Sequence, residues 1–247
     1  MQNEYLVRLS DDIRKDVKSI EQLSRIEILV EVDSSRERSD PAFPDTLACQ
    51  VDEHSAKLLI PSQEHFPNGS VLHEILHIKR FLVDRIPKIV ICDEHDDWSP
   101  AQESGFTMLD NQLEHFAIVP QELKKMPCRE SYWKSGVNRA LIGLGQGKLE
   151  ERDFKQVLLM HWVFLNLVIP DEDLIRKADG LIRQADLGSS ASEFLKIAAS
   201  SVMSKERLVR VTCQHLDISI DGICLQTIDS HQGTVVESKL SDVEEIY

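Results

Sequence analysis

The chain has 247 residues, enough for one large domain or two modest ones, and its apolar fraction of 42% is that of a folded globular protein. With 42 acidic against 28 basic residues, the formal net charge of −14 argues against a large phosphate-binding surface, so nucleic acid is not an expected partner. The longest apolar stretch, 157–170, is too short to span a bilayer, and no secretory signal opens the chain. We therefore expect a cytoplasmic protein with no membrane segment.

The five cysteines are odd in number, widely scattered and without a C-x-x-C pair. This pattern is unlike a disulfide framework or a cysteine zinc site, so free thiols are predicted. The residues concerned are Cys49, Cys92, Cys128, Cys213 and Cys224.

The first part of the chain is predicted to form a helix followed by strands. Helical periodicity runs over about 4–24, and the β-branched segment 25–32 then predicts a strand. Two further apolar segments, 47–51 and 55–60, are separated by three polar residues and predict a hairpin.

A helix apolar on most sides is predicted from about Ser70 to Asp84, with Ser70 as its N-cap and Pro87 just past its end. Such a helix belongs in the interior of a domain. A short strand is predicted at 88–92, and a second helix is predicted from about Pro100 to Ile118.

The rest of the chain is predicted to be mostly helical and partly β. After a loop at 126–136, we expect helices at 153–168, 171–185 and 191–203, then strands within 208–228 that turn at Asp221-Gly222, and a frayed tail after Gly233.

The most informative motif is His73-Glu74-Ile75-Leu76-His77, which matches H-E-x-x-H. Histidines four residues apart on a helix lie one turn apart on the same face, so both rings can reach one tetrahedral zinc ion. Glu74 projects about 100° away, beside the metal rather than on it. Zinc lowers the pKa of a bound water toward ~7, and Glu74 could take its proton as general base. The alternative is a pair of ordinary core histidines.

A catalytic zinc site needs a third protein ligand. In the helix at 100–118, four residues align on one face: Glu103, Thr107, Asp110 and Glu114. Glu114 is the predicted ligand, with Asp110 one turn earlier as its supporting partner. His115 is the main rival, and Glu103 and Asp110 are the others.

Residues 25–120 resemble the zincin metallopeptidases, and a downstream glutamate ligand is similar to the gluzincin branch. The segment Leu113–Pro120, LEHFAIVP, also resembles the corresponding helix of ImmA/IrrE-like bacterial proteases. The resemblance implies an α+β, zincin-like domain in which a sheet covers the motif helix and a second helix brings the third ligand. We assign this zinc-binding catalytic domain to 1–130 and a C-terminal extension for substrate recognition or regulation to 131–247.

Three further features have simpler interpretations. The acidic loop 93–97 could bind a cation, but the simpler interpretation is a solvated loop, as short acidic loops usually are. His161 could be a transition-state donor, as could His115 or Tyr132, but it fits a core histidine bonded to a carbonyl. The glycine-rich segment 143–147 lacks the lysine of a phosphate-binding loop.

The sequence thus predicts a zinc-dependent metallopeptidase that hydrolyses a peptide bond in an intracellular protein. His73, His77 and Glu114 would hold Zn²⁺, and Glu74 would be the catalytic residue. Two other classes remain open: a zincin-fold binding or regulatory module without turnover, and a metallohydrolase acting on small amides. The oligomeric state is not indicated.

Overall fold

The computed structural model describes residues 1–36, 47–92, 99–147, 149–202 and 204–242. The helices are α1 (Asn3–Leu6), α2 (Asp11–Ser24), α3 (Asn68–Leu82), α4 (Pro100–Lys125), α5 (Glu130–Gly145), α6 (Glu151–Leu167), α7 (Glu172–Gln184), α8 (Gly188–Ser201) and α9 (Lys205–His215). The strands are β1 (Ile28–Val32), β2 (Ala48–Val51), β3 (Ala56–Ile60), β4 (Lys88–Ile91), β5 (Ile223–Asp229) and β6 (Thr234–Lys239). The fold is α+β, as the sequence predicts.

The chain divides into two compact units. Unit 1 contains Met1–Lys88 and Leu225–Glu237, and unit 2 contains Ile89–Cys224 and Ser238–Tyr247. The boundaries fall within β4, β5 and β6. The division at residue 130 into a catalytic domain and an extension stays a prediction.

Unit 1 contains a small mixed sheet in the order β1-β3-β2. β1 runs parallel to β3, with Ile28 opposite Ala56, and β2 pairs with β3 in antiparallel register, with Val51 opposite Ala56. The predicted hairpin at 47–60 is therefore confirmed. α3 packs against β2, β3 and α2.

Helix α3 is buried on most of its surface, in agreement with its apolar sequence. The predicted N-cap is wrong, because the helix begins at Asn68, two residues before Ser70. The Asn68 side chain accepts a hydrogen bond from the Ser10 amide and donates one to the Arg8 carbonyl, which fixes the start of the helix. The buried apolar residues of α3 are Val71, Leu72, Ile75, Leu76, Ile78, Phe81 and Leu82.

Unit 2 is built largely from helices. α6 contacts α4, α5, α7 and α8, and it is the most centrally packed helix of this unit. Its buried residues are Leu158, Leu159, Met160, Trp162, Val163, Phe164 and Leu165. α4 also contacts α9, so a helix late in the chain lies against the helix that carries the predicted third ligand.

Helix α4 continues beyond its predicted end near Ile118 and runs through Pro120 to Lys125. Proline removes one helical hydrogen bond and usually ends a helix. Here the next turn buries Glu122 completely, and its carboxylate accepts hydrogen bonds from Arg129 and Trp133. These tertiary contacts offset the proline. They also explain why α5 begins at Glu130, inside the predicted loop 126–136.

The predicted strands at the start of 208–228 are wrong, because this segment forms α9 through His215. Ser204 caps the helix by accepting a hydrogen bond from the Arg207 amide, and Leu208 and Val209 are buried. β-branched residues disfavour a helix by only a few tenths of a kcal/mol each, less than tertiary burial supplies.

The C-terminal segment also differs from its prediction. Thr234–Lys239 form strand β6 beside β5 rather than a frayed tail, and the end of the predicted tail, 243–247, lies outside the described residues. The turn at Asp221-Gly222 precedes β5 instead of joining two strands, and Gly222 has a φ of 79°, which glycine adopts readily.

Cys92 and Cys224 form a disulfide, which corrects the prediction of five free thiols. The two residues are 132 positions apart and both are buried. Cys49, Cys128 and Cys213 are free. Separately, the described part of the chain contains no helix that is both long and apolar enough to cross a membrane.

Candidate metal centre

Helix α3 places the two motif histidines one above the other. Both are buried, and their Nε2 atoms are 3.2 Å apart. The rings meet edge to face with their centroids 4.9 Å apart, and the His77 ring also stacks on Phe81 one turn later. The two Nε2 atoms therefore lie close enough to approach the same ligand.

This spacing fits two ligands of one tetrahedral zinc ion. Zinc–nitrogen distances of about 2.0–2.1 Å at a tetrahedral angle separate two nitrogen ligands by roughly 3.3 Å. The observed 3.2 Å is close to that value. The same distance suits a hydrogen bond between two neutral imidazoles, in which one Nε2–H donates to the other ring. The pair fits a metal ion and also has a metal-free arrangement that satisfies it.

A third histidine completes a group that could hold a metal ion. Three ring nitrogens, one from each of His73, His77 and His115, lie within 4.8 Å of one another. His115 is half-buried on α4, where the edge of its ring meets the indole of Trp133 at 4.9 Å between centroids. Imidazole nitrogen is a ligand for zinc, copper, iron and nickel alike, so the three residues do not select one metal.

Glu114, the third ligand predicted from sequence, is fully buried on α4. Its carboxylate accepts a hydrogen bond from the ammonium of Lys205, the first residue of α9. Its role as a metal ligand stays a prediction. Lys205 could not be predicted as its partner, because the contact joins residues 91 positions apart.

Lys205 also pairs with Asp110 at 2.7 Å, and Asp110 accepts a hydrogen bond from the Ile89 amide. Two buried carboxylates thus share the ammonium of Lys205. Burial raises the pKa of Asp110, and the nearby charge of Glu114 raises it further, while Lys205 and the Ile89 amide oppose this change. Asp110 and Glu114 are therefore linked through the Lys205 ammonium, and the role of Asp110 as support for a metal ligand stays a prediction.

Glu74 is half-buried on α3, next to Cys49 of strand β2. Burial, the negative charge of Glu74 and a hydrogen bond between the two side chains raise the pKa of Cys49 well above its ordinary value, and Lys88 opposes this only in part. Cys49 is therefore a neutral thiol that can donate to the Glu74 carboxylate. A strand packed against the motif helix was predictable, but the residue facing Glu74 was not.

The remaining candidates lie in varied settings. Glu103 is exposed in the first turn of α4, and Tyr132 carries the Arg129 guanidinium 4.0 Å above its ring. His161 lies in α6 and donates from Nδ1 to the Val157 carbonyl at 2.8 Å, and burial lowers its pKa. This matches a core histidine bonded to a carbonyl. The acidic loop 93–97 lies outside the described residues.

Comparisons with protein-family models, curated proteins and solved structures found no match to this chain. The resemblance to zincins therefore rests on the H-E-x-x-H motif and the residues around it.

Proposed function

We propose that this protein is a zinc-dependent peptidase with a zincin-like arrangement, in which His73, His77 and His115 hold the metal and Glu74 is the general base. The observation that carries the proposal is the pair of buried Nε2 atoms, 3.2 Å apart, within an H-E-x-x-H helix. Their spacing suits tetrahedral zinc, and the glutamate between them is the residue that peptidase chemistry requires.

His115 is proposed as the third ligand in place of Glu114. Two observations support it: its ring nitrogen belongs to the group of three, and the Glu114 carboxylate is already ion-paired with Lys205. Three histidines would leave the fourth position of a tetrahedral ion open, as catalytic zinc sites require.

A bound zinc ion would polarise a scissile carbonyl and lower the pKa of a coordinated water toward about 7. Glu74 would accept a proton from the attacking water and return it to the leaving amine. Its position about 100° around the helix from His73 leaves its carboxylate free of the ligand set. The thiol of Cys49, held neutral by its raised pKa, would orient that carboxylate by hydrogen bonding.

The proposal is tested by Glu74→Gln, which keeps the size of the side chain but cannot accept a proton. We expect unchanged zinc content and folding, and cleavage slower by about 10²–10⁴-fold. Cleavage is read as new N-termini, identified by mass spectrometry in a library of whole-cell protein, with a panel of small amides in parallel.

Glu64→Gln is the matched control, because Glu64 is exposed in the same unit. Equal cleavage by wild type and Glu74→Gln at equal zinc content would exclude Glu74 as the base. Release of amine from small amides alone would instead identify a small-amide hydrolase. Zinc binding with no cleavage of either substrate by wild type would favour a binding or regulatory module.

A further inference from the structure

A groove with a volume of about 430 Å³ lies within unit 2, between the end of β4 and the first turns of α4. Residues 89–92, at the end of β4, form one side of the groove. Glu103, Phe106 and Thr107 of α4 form the opposite side. This volume lies in the range of about 300–1,000 Å³ that is typical of ligand sites. The groove contains none of the residues proposed to hold zinc.

One edge of β4 faces this groove. The strand stands at the end of the sheet order β4-β5-β6, and the Cys92 amide donates to the Gly222 carbonyl on the side of β5. The Ile89 amide points the opposite way and donates to Asp110 of α4. Because backbone groups alternate along a strand, the amide and carbonyl of Ile91 also point away from β5. Within the described residues, no strand pairs with β4 on that side.

The α4 wall offers one acidic and one aromatic side chain. Glu103 is exposed, and Phe106 is half-buried three residues later. Residues three apart on a helix lie about 5–6 Å from each other on the same face. Alternate residues of an extended chain are spaced by roughly 6.6 Å, so two of them can face Glu103 and Phe106 together.

We propose that this groove binds an extended segment of a partner protein, which adds a short strand to β4 on the side away from β5. The Ile91 amide and carbonyl would pair with the backbone of the segment. A lysine or arginine would face Glu103, in keeping with the acidic charge of the chain, and an apolar side chain two residues away would pack on Phe106. This binding requires no metal and is independent of the peptidase proposal.

The test uses the full chain and a fluorescein-labelled, amide-capped pentapeptide of sequence TKTLT, followed by fluorescence anisotropy. We expect saturable binding below about 1 mM. The charge-reversed peptide TETLT should bind about 5-fold or more weakly, since a solvent-exposed ion pair is replaced by a repulsion. Glu103→Lys should bind TKTLT equally poorly and should regain affinity for TETLT.

Two further variants distinguish binding in the groove from nonspecific attraction of the peptide to the acidic surface. Thr107→Trp fills the groove and should abolish binding, whereas Ser104→Trp places the same ring on an exposed residue of the same helix outside the lining and should not. N-methylation of the central amide of the peptide should weaken binding about 10-fold if backbone pairing is involved. The proposal is overturned if wild type does not bind TKTLT, if both tryptophan variants bind equally, or if the methylated peptide binds like its parent.

Discussion

Lys205 is a buried lysine whose ammonium lies between the carboxylates of Asp110 and Glu114. Removing a charge from water is costly, and a buried ion stays charged only when it is paired and hydrogen-bonded. The same ammonium lies against both carboxylates, so each carboxylate has a like charge beside it. Burial is the main cause of the raised pKa of Asp110, and the like charge of Glu114 adds to it, while Lys205 and the Ile89 amide oppose it.

This cluster predicts a pH dependence of stability. A carboxyl whose pKa is higher in the folded than in the unfolded state binds more protons when folded, so the free energy of unfolding decreases as pH rises through that window. Since the pKa of Asp110 is raised above 3.8, its contribution should fall from about pH 4 upwards.

Asp110→Asn keeps the acceptor for the Ile89 amide and leaves Lys205 paired with Glu114. We expect its stability at neutral pH to equal or exceed that of wild type, with a flatter dependence on pH from about pH 4 upwards. Urea unfolding in the presence of a chelator measures this, with exposed Glu193→Gln as the control. An identical pH dependence in wild type and Asp110→Asn would exclude Asp110 as its source.

His115 depends on residues from α4 and α5 for its position. Trp133 meets its ring, and the Trp133 indole donates to Glu122, which Arg129 neutralises. We expect Trp133→Leu to lower zinc affinity about 10-fold, because the His115 ring would gain alternative rotamers. A competition titration against a zinc-chelating dye measures this.

Trp162→Leu provides the matched control, since Trp162 is a buried tryptophan whose indole bonds Asp179 instead. Equal losses of zinc affinity in the two variants would mean that the effect of Trp133 is one of general stability.

At the scale of elements, the sequence was informative where structure is decided locally. The strands at 47–60 and the motif helix follow from alternation and apolar periodicity, and the pair His73 and His77 follows from helical spacing alone. α9 and the last turns of α4 were missed because tertiary burial overrides propensity there. The residues facing the site, including Cys49 and Lys205, could not be found, because contacts between distant segments leave no periodic signal.

At the scale of the whole molecule, the disulfide between Cys92 and Cys224 links positions 132 residues apart. A cross-link over so long a segment restricts the unfolded chain and typically stabilises a protein by about 2–4 kcal/mol. Sequence spacing cannot reveal such a pair, since pairing depends on β4 meeting the start of β5.

Alkylation of the unfolded protein without reductant should therefore label three cysteines, and all five after reduction. Reduction should also lower the free energy of unfolding by about 2–4 kcal/mol. Mass spectrometry counts the labels, and urea unfolding measures the stability. Five labels before reduction would mean that Cys92 and Cys224 are not bonded in the purified protein.

Zinc content is the measurement that tests the central claim most directly. We expect about one zinc per chain in protein purified without chelator. His73→Ala, His77→Ala and His115→Ala should each lose it, whereas His231→Ala, an exposed histidine outside the group, should keep it. Loss of zinc from Glu114→Ala with retention in His115→Ala would instead restore Glu114 as the third ligand. Stoichiometric zinc in the His73→Ala, His77→Ala double variant would contradict the account.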